Sequence, residues 1–314
     1  MKVVSVINFK GGVSKTTLSF HLACFLARSA KVLLVDIDHQ SSLSLVVLKS
    51  KAWQGLVGEG KTINRVFESY SNRHVHMPGE EIVCKSPMQR GPAINLYPSL
   101  HLAPAQFELD DTEIDLASTF FSNPTLSDWD KRTLLATWLD SIRAGEKYDY
   151  IIFDCPPATK IVSQNALACS HGYIIPVIPD ELSSRGVTHF TSLVRTKIDE
   201  KLEYLRQSAR VPENITPKAY VPVTKLAAIV PSLVKSAGNA ASGMTNIHTE
   251  QLAALHRQWK GAVLGTVGKH YIGVPEAMNA GMPVWNYWGS NAKRQVKNMM
   301  TNICTELKNR IDAL

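Results

Sequence analysis

Two lysines bracket a pair of glycines close to the start of the chain. The stretch reads Lys10-Gly11-Gly12-Val13-Ser14-Lys15-Thr16-Thr17. Glycines let backbone N–H groups turn toward an anion, and a helix that begins there adds its positive end. Lys15 is placed to reach the β- and γ-phosphates of a nucleotide, and the Thr16 hydroxyl is placed to bind Mg²⁺. These residues predict a phosphate-binding loop.

The spacing departs from the strict GxxxxGK[ST] loop at two positions. Phe9 and Ser14 stand where that pattern has glycines. Serine is tolerated at the second position only if its φ is below zero or if the backbone accepts mild strain. The departures therefore affect the expected geometry of the loop more than its assignment.

Three aspartates are candidates for the chemistry beside this loop. Asp36 and Asp38 follow the short apolar run that begins at Lys31, and Asp154 ends the run that begins at Tyr148. In parallel sheets ligands gather at the carboxyl ends of strands, where Asp36 and Asp154 are expected to lie. The alternative for Asp36 and Asp38 is capping or turn formation after a strand.

The elements that must position these residues form an alternating pattern. Apolar runs predict strands at 2–8, 31–36, 148–154 and 172–178, a further strand within 225–230, and one around 262–266. Helical spacing covers 16–28 and about 291–314. We predict an α/β fold with a doubly wound, mostly parallel sheet flanked by helices. One domain, 1–314, would carry insertions near 51–95 (an insertion or irregular region) and 206–250, with a surface loop at 236–246.

Composition bounds the class of protein and hints at its partners. The chain has 314 residues and a net charge of +7, with 45% hydrophobic and 19% charged residues, which excludes a disordered chain. Its five cysteines form no CxxC pair, and no apolar run approaches the roughly 18 residues of a membrane span. Residues 106–130 hold seven acids and no Lys or Arg, whereas residues 185–314 carry +9. The basic part suits either a polyanion partner or a solvated surface.

The loop and three further segments resemble one known family. KGGxxKT resembles the deviant Walker A loop of the ParA/MinD family of P-loop ATPases, and D-x-D-x-Q at 36–40 resembles its switch segment. The run 148–157, which ends in DCPP, resembles its Walker B strand, and 165–187 resembles a run seen in ParA proteins. The four segments occur in the family's order, so the chain looks closest to ParA-type partition proteins.

This resemblance implies roles for the loop residues. The family forms a sandwich dimer with two nucleotides at its interface, and Lys10 would be the signature lysine that reaches the partner's nucleotide. Lys15 would bind phosphate within its own subunit, Thr16 would ligate Mg²⁺, and Thr17 would contact the α-phosphate. Gly11, Gly12, Val13 and Ser14 would complete the nucleotide-binding loop.

The resemblance also implies roles for the carboxylates. Asp38 would orient or activate the attacking water, Asp36 would support the metal site, and Asp154 would hold Mg²⁺ through water. The cofactors would be ATP and Mg²⁺, and the activity would be Mg²⁺-dependent hydrolysis of ATP to ADP and phosphate. The family's adenine-side IPR segment is absent, with Val267-Gly268-Lys269 nearby, so the base contacts are left open.

The function implied is that of a ParA-like ATPase in plasmid or chromosome partition or in cargo positioning. The ATP dimer would bind DNA non-specifically, and a ParB-like or other partner would stimulate hydrolysis, in a nucleoid-associated, cytoplasmic protein. The chain leaves no room before Lys2 for a helix-turn-helix domain, so operator binding is not expected. Candidate DNA contacts are Lys235, Lys269, Lys293, Arg294 and Lys297, and for each residue taken alone a solvated surface charge is the simpler interpretation.

Other readings compete with this one. A MinD-like membrane ATPase would use the amphipathic C-terminal helix on a membrane, although packing of that helix on the sheet is the simpler interpretation. A redox protein like the nitrogenase iron protein needs paired cysteine ligands, and a tyrosine kinase on this fold needs a tyrosine cluster after Tyr287; the sequence has neither. Trp285, Tyr287 and Trp288 could stack on a base or pack in the interior.

Overall fold

A computed structural model describes residues 1–89, 95–121, 123–235 and 244–314, with the backbone alone for 181–184. Its centre is a six-stranded sheet in the order β3-β2-β4-β1-β5-β6, in which every neighbouring pair is parallel. The strands are β1 Lys2–Val6, β2 Val32–Asp36, β3 Leu100–Ala103, β4 Tyr150–Asp154, β5 Gly172–Val177 and β6 Lys225–Pro231. The predicted α/β class and parallel sheet are confirmed.

The strand predictions fail at two places. The four-residue strand β3 pairs with β2 at one edge of the sheet and was not predicted. Around 262–266 the prediction of a strand is wrong, because with the described residues this segment makes a single isolated bridge, between Ile229 and Val263. Side chains of the C-terminal helix form hydrogen bonds with other backbone groups of this segment. Arg310 donates to the carbonyl oxygens of residues 261–263, and Glu306 accepts from the N–H groups of residues 265 and 266.

Helices cover both faces of the sheet. Their bounds are α1 Lys15–Leu26, α2 Ser42–Gly58, α3 Asn64–Ser71, α4 Leu109–Ser118, α5 Pro124–Arg132, α6 Leu134–Ser141, α7 Ala144–Lys147, α8 Ile161–Ala168, α9 Glu181–Leu193, α10 Glu200–Ser208, α11 Asn246–Gln258, α12 Gly273–Ala280 and α13 Arg294–Asp312. A π-helical segment, Val194–Asp199, joins α9 to α10. The helices predicted near 16–28 and 291–314 are therefore present.

Two sequence predictions for connecting segments need correction or limits. An irregular structure for 51–95 is wrong at 51–58 and 64–71, where α2 continues and α3 forms, although α2 is kinked at Lys49. The predicted surface loop 236–246 falls largely outside the described residues, and Asn246 already begins α11.

The core lies in two layers, one on each face of the sheet. Alternate residues of one strand enter different layers: Leu33 and Val35 point into one, and Leu34 into the other. Such alternation with burial on both sides is what a sheet covered by helices on both faces requires. The second layer contains α1 and the apolar stripe of α13, namely Val296, Met300, Ile303, Cys304, Leu307 and Ile311.

The amphipathic character of α13 is thus accounted for by packing on this chain. Within the described residues, no helix is long and apolar enough to cross a membrane.

The topology brings the predicted site residues together at the carboxyl ends of the central strands. β1 lies between β4 and β5 in the sheet. The strands β2 and β3 lie on the β4 side of β1, and β6 lies on the β5 side. This is a switch point of the strand order, where ligands of open α/β sheets bind beyond the carboxyl ends. In the strand register Val6 and Asp36 both pair with Asp154, so the loop and the carboxylates meet there.

Candidate nucleotide-binding site

The loop between β1 and α1 is held by its own side chains. The Asn8 amide donates to the Pro176 carbonyl at 2.7 Å, and the Lys10 N–H donates to the Asn8 Oδ1 at 3.1 Å. Lys15, the first residue of α1, donates from Nζ to the carbonyl oxygens of Lys10 at 3.2 Å and Asn8 at 3.4 Å. The ammonium group therefore lies inside the curve of the loop.

The two departures from the strict loop pattern both have structural consequences. Ser14 has φ 72° and ψ 28°, so the backbone takes the strained option, which costs roughly 1–2 kcal/mol for a residue with a Cβ. Phe9 packs edge-on against Phe190 of α9 at 5.0 Å and lies 5.7 Å from the His189 ring. Gly12 also has a positive φ, of 69°, and a Cβ there would meet open space, so its glycine serves the turn and not the packing.

Asp154 has a buried carboxylate oxygen that the described residues leave unpaired. Its side chain is buried, Ser19 donates to Oδ1 at 2.9 Å, and Oδ2 has no hydrogen-bond partner among the described residues. Burial, and then the neighbouring Asp36, raise the pKa of Asp154, while the Thr16 and Ser19 hydroxyls oppose that rise. An unpartnered buried carboxylate oxygen beside a threonine hydroxyl is the donor set that Mg²⁺ accepts, directly or through water. The residues present fit the metal.

Asp36 is occupied by the turn that follows β2. Its Oδ1 accepts from the Asp38 N–H at 3.1 Å, and its Oδ2 accepts from the Ser44 N–H at 2.8 Å and the Ser44 hydroxyl at 2.6 Å. Burial raises its pKa, and the two Ser44 hydrogen bonds oppose this. These contacts favour the turn interpretation, and the role of Asp36 at the metal stays a prediction.

Asp38 lies between this turn and the loop lysine. It is 8% exposed, and its Oδ1 accepts from the Gln40 N–H at 3.0 Å. Burial lowers the pKa of Lys15, while Asp154 and Asp38 act in the opposite direction. Both carboxylates are thus near enough to Lys15 to act on its charge.

A mainly apolar cavity of about 340 Å³ adjoins the loop, and sequence reasoning had not located it. It is lined by Gly12, Thr17 and Leu18 on one side and by Lys269, Tyr271 and Met299 on the other. Its size suits a small-molecule site, and its position next to the loop suits the base of a bound nucleotide. The one hint of this cavity in the sequence was Val267-Gly268-Lys269, which lies near the position where the family has its adenine-side IPR segment.

The five candidate DNA contacts lie in neighbouring parts of the fold. Lys235 follows Val234, which pairs with Lys269, and the Lys269 N–H donates to the Met299 sulfur of α13 at 3.1 Å. Lys293 and Arg294 are exposed where α13 begins, and Lys297 lies one turn later. The structure thus brings these basic residues to the end of β6 and the start of α13.

The aromatic residues ahead of α13 divide between interior and surface. Trp285 packs under the Arg28 guanidinium, 4.4 Å from its ring, and against His21, as the packing interpretation expects. Trp288 is 88% exposed, with the Lys297 ammonium 5.1 Å from its ring. Trp288 therefore belongs with the basic cluster and not with the core.

The fold and the loop define a P-loop nucleoside triphosphatase. A family model described as an AAA domain matches residues 1–206. The chain belongs to this family and, within it, to the ParA/MinD ATPases with a deviant Walker A loop, close to ParA-type partition proteins.

Curated relatives and solved structures agree. The chain is 28% identical over 207 residues to the chromosome partitioning protein ParA of Caulobacter vibrioides, covering 65% of this chain and 67% of that protein. It is 30% identical over 201 residues to the sporulation initiation inhibitor protein Soj of Bacillus subtilis, covering 62% and 65%. An ATP complex of a Cyanothece McdA variant superimposes with a TM-score of 0.65 at 19% identity, covering 98% of this chain and 96% of that one.

The alignments leave part of each protein unmatched. The chain spans about half to two thirds of the length of the curated relatives that it matches. The structural likeness, at 19% identity, supports the fold alone.

Proposed function

We propose that the chain is a ParA-type partition or cargo-positioning ATPase, organised as one ATPase unit over residues 1–314. The observation that carries the proposal is the pairing of two groups that need a ligand. The Lys15 ammonium group lies inside the loop, and the buried Asp154 Oδ2 has no hydrogen-bond partner in the part of the chain that the structure describes. A nucleoside triphosphate would pair with the Lys15 ammonium group, and its magnesium ion would pair with Asp154 Oδ2.

We propose the following roles for the individual residues. The loop N–H groups and Lys15 bind the phosphates, Thr16 and Asp154 hold Mg²⁺, and Thr17 and the adjoining cavity take the α-phosphate and the base. Bound Mg²⁺ supplies neutralisation of the phosphate charge. Asp38 orients the attacking water, and Asp36 fixes the turn that carries Asp38. Lys10 of one subunit reaches the nucleotide of the other in an ATP-dependent homodimer.

The proposed DNA-binding surface is the basic cluster of Lys235, Lys269, Lys293, Arg294 and Lys297. The first turn of α13 has no acidic residue, so three basic side chains stand at the positive end of a long helix. This concentrates positive charge where phosphates would relieve it, and non-specific binding in the micromolar range, on the order of 10⁻⁴–10⁻⁶ M, is what such a surface gives. DNA binding would make the protein nucleoid-associated in the cytoplasm, with a ParB-like or other partner stimulating hydrolysis.

The test is sedimentation of the protein with DNA and with liposomes, each with and without ATP and Mg²⁺. We expect ATP-dependent, salt-sensitive sedimentation with DNA and none with liposomes. Binding to liposomes without binding to DNA would contradict the proposal and favour a MinD-like ATPase. Against that alternative stands the burial of the apolar stripe of α13 within this chain.

A further inference from the structure

Lys10 is held within its own chain by an ion pair. Its Nζ lies 2.5 Å from the Oδ2 of Asp180, at the end of the turn that joins β5 to α9. Both side chains are partly solvated, with 47% of Lys10 and 32% of Asp180 exposed. The pair therefore lies at the surface of the loop, where a second subunit could reach it.

The backbone beneath this pair is fixed independently of it. The Lys10 N–H is bonded to Asn8 Oδ1, and its carbonyl accepts from Lys15. Phe9 anchors the same stretch on α9 through Phe190. Since the main chain has these separate attachments, the Lys10 side chain can change position without the loop, and Asp180 is its hydrogen-bond partner in the described part of the chain.

We propose that Asp180 is an intramolecular latch that holds the Lys10 ammonium on its own subunit and must release it before the ATP dimer forms. The inference rests on the proposed dimer, in which Lys10 serves the partner's nucleotide. A carboxylate carries one negative charge, whereas the β- and γ-phosphates of ATP carry several, so a facing ATP outcompetes Asp180. ADP lacks the γ-phosphate and competes less well. Releasing the latch therefore costs the same free energy with either nucleotide, and ATP offsets that cost more fully than ADP does.

The size of the effect follows from the exposure of the pair. Partly solvated ion pairs contribute roughly 0.2–1 kcal/mol, which corresponds to a factor of about 1.4 to 5 in an equilibrium constant. A symmetric dimer contains two latches, so the factors multiply. Removing Asp180 should tighten the ATP dimer by roughly 2- to 30-fold. Because salt screens solvated charges, the difference should shrink as salt is raised.

The first experiment tests the latch without any nucleotide. Asp180→Asn keeps the shape of the side chain and removes its charge. Acetylation of Lys10 by an N-hydroxysuccinimide ester, followed by mass spectrometry, should be about 1.4- to 5-fold faster in this variant. Asp180→Glu, which keeps a carboxylate, should react like the wild type, and so should Asp111→Asn, which changes an exposed acid on α4. Equal Lys10 reactivity in the wild type and Asp180→Asn would overturn the latch.

The second experiment measures dimerisation by analytical ultracentrifugation with ATPγS and Mg²⁺. Asp180→Asn should dimerise at lower protein concentration than the wild type, and this gain should vanish in the Lys10→Gln background. An unchanged or weaker dimer in Asp180→Asn, or a gain that persists without Lys10, would refute the latch. A wild-type chain that stays monomeric with ATPγS would contradict the proposed dimer itself, so the two failures can be told apart.

Discussion

The buried lysine of the loop determines what the site can bind. Lys15 is 7% exposed, and among the described residues its ammonium group is hydrogen-bonded to loop carbonyl oxygens alone, with Asp154 and Asp38 near enough to act on its charge. A buried cation with carbonyl partners is poorly compensated, because such acceptors are neutral. Phosphate oxygens aligned by the loop N–H groups would compensate it fully. The site therefore favours a ligand that brings more negative charge to Lys15 than the neighbouring protein groups do.

Lys15→Ala should lower the affinity for ATP by at least about 100-fold, because hydrogen bonds to charged groups contribute roughly 1.5–3 kcal/mol each and Lys15 can make two. Titration with a fluorescent ATP analogue measures the loss. The folded state should be retained, since the substitution removes a buried charge. Lys51→Ala, at an exposed position on α2, serves as the control and should bind ATP normally. Normal affinity in Lys15→Ala would refute the site.

His21 makes the helix of the loop sensitive to acid. Its Nδ1–H donates to the Thr17 carbonyl at 2.7 Å, and its Nε2 accepts from the Val284 N–H at 3.1 Å, so the neutral tautomer is fixed. Burial lowers the pKa of His21 to about 4. A lowered folded-state pKa contributes stability that is present above the unfolded value of 6.5 and is lost as the pH falls toward 4.

We expect the protonation of His21 to lower the unfolding free energy by up to about 2 kcal/mol between pH 6.5 and pH 5, at about 1.4 kcal/mol per pH unit. Urea denaturation at the two pH values measures the loss. His21→Gln cannot titrate and should show a smaller loss over the same interval, whatever its stability at pH 7. The same pH dependence in both proteins would mean that other groups account for it.

The C-terminal helix illustrates how an amphipathic pattern acquires its meaning from packing. The stripe of α13 is compatible with a membrane surface or with a sheet, and the sequence alone cannot distinguish them because both bury apolar area. In the structure the stripe contacts α1 and β6, and the polar side of the helix supplies Glu306 and Arg310 to the backbone of 261–266. Side chains of α13 thus hold the segment that was predicted to be a strand.

Leu307→Ala should destabilise the protein by about 2–5 kcal/mol, because it leaves a cavity at a fully buried position. Asn302→Ala, on the exposed side of the same helix, should change the unfolding free energy by less than about 0.5 kcal/mol. Thermal or urea unfolding of both variants checks this. Equal, small effects would indicate that the stripe is not buried in solution, as a membrane-binding helix would require.

Elements with local signals could be predicted from the sequence, and those that depend on distant contacts could not. β1, the loop and α1 adjoin in the chain, so their glycines and apolar periodicity sufficed. Four-residue β3 is too short for a pattern and exists through its pairing with β2. The cavity beside the loop draws its lining from four separated parts of the chain, and the positive φ of Ser14 leaves no mark in the sequence.

The charge distribution of the whole molecule becomes clearer once ion pairs are located. Lys160, just ahead of α8, pairs with Asp110 at 3.1 Å and with Glu113 at 3.8 Å, and Lys201 of α10 pairs with Asp128 at 3.2 Å. Much of the acidic segment 106–130 therefore serves to attach α4 and α5 to basic residues of this chain. The basic cluster at the start of α13 has no acid in its first turn. The two regions differ in role as well as in sign.

If that cluster binds DNA, its charges should set the salt dependence of binding. The double variant Lys293→Gln, Arg294→Gln should weaken ATP-dependent DNA binding and reduce the slope of log K against log salt by about 1 to 2, since each lost phosphate contact releases about one counterion fewer. Fluorescence anisotropy with a labelled duplex at several salt concentrations measures the slope.

The matched control is the double variant Lys31→Gln, Lys225→Gln. It removes the same charge at the amino ends of β2 and β6, the end of the sheet opposite to the nucleotide site. Because net charge falls equally in both variants, a specific contact surface predicts a change in the first and little in the second. Equal changes in the two slopes would mean that the overall charge attracts DNA and that the start of α13 does not touch it.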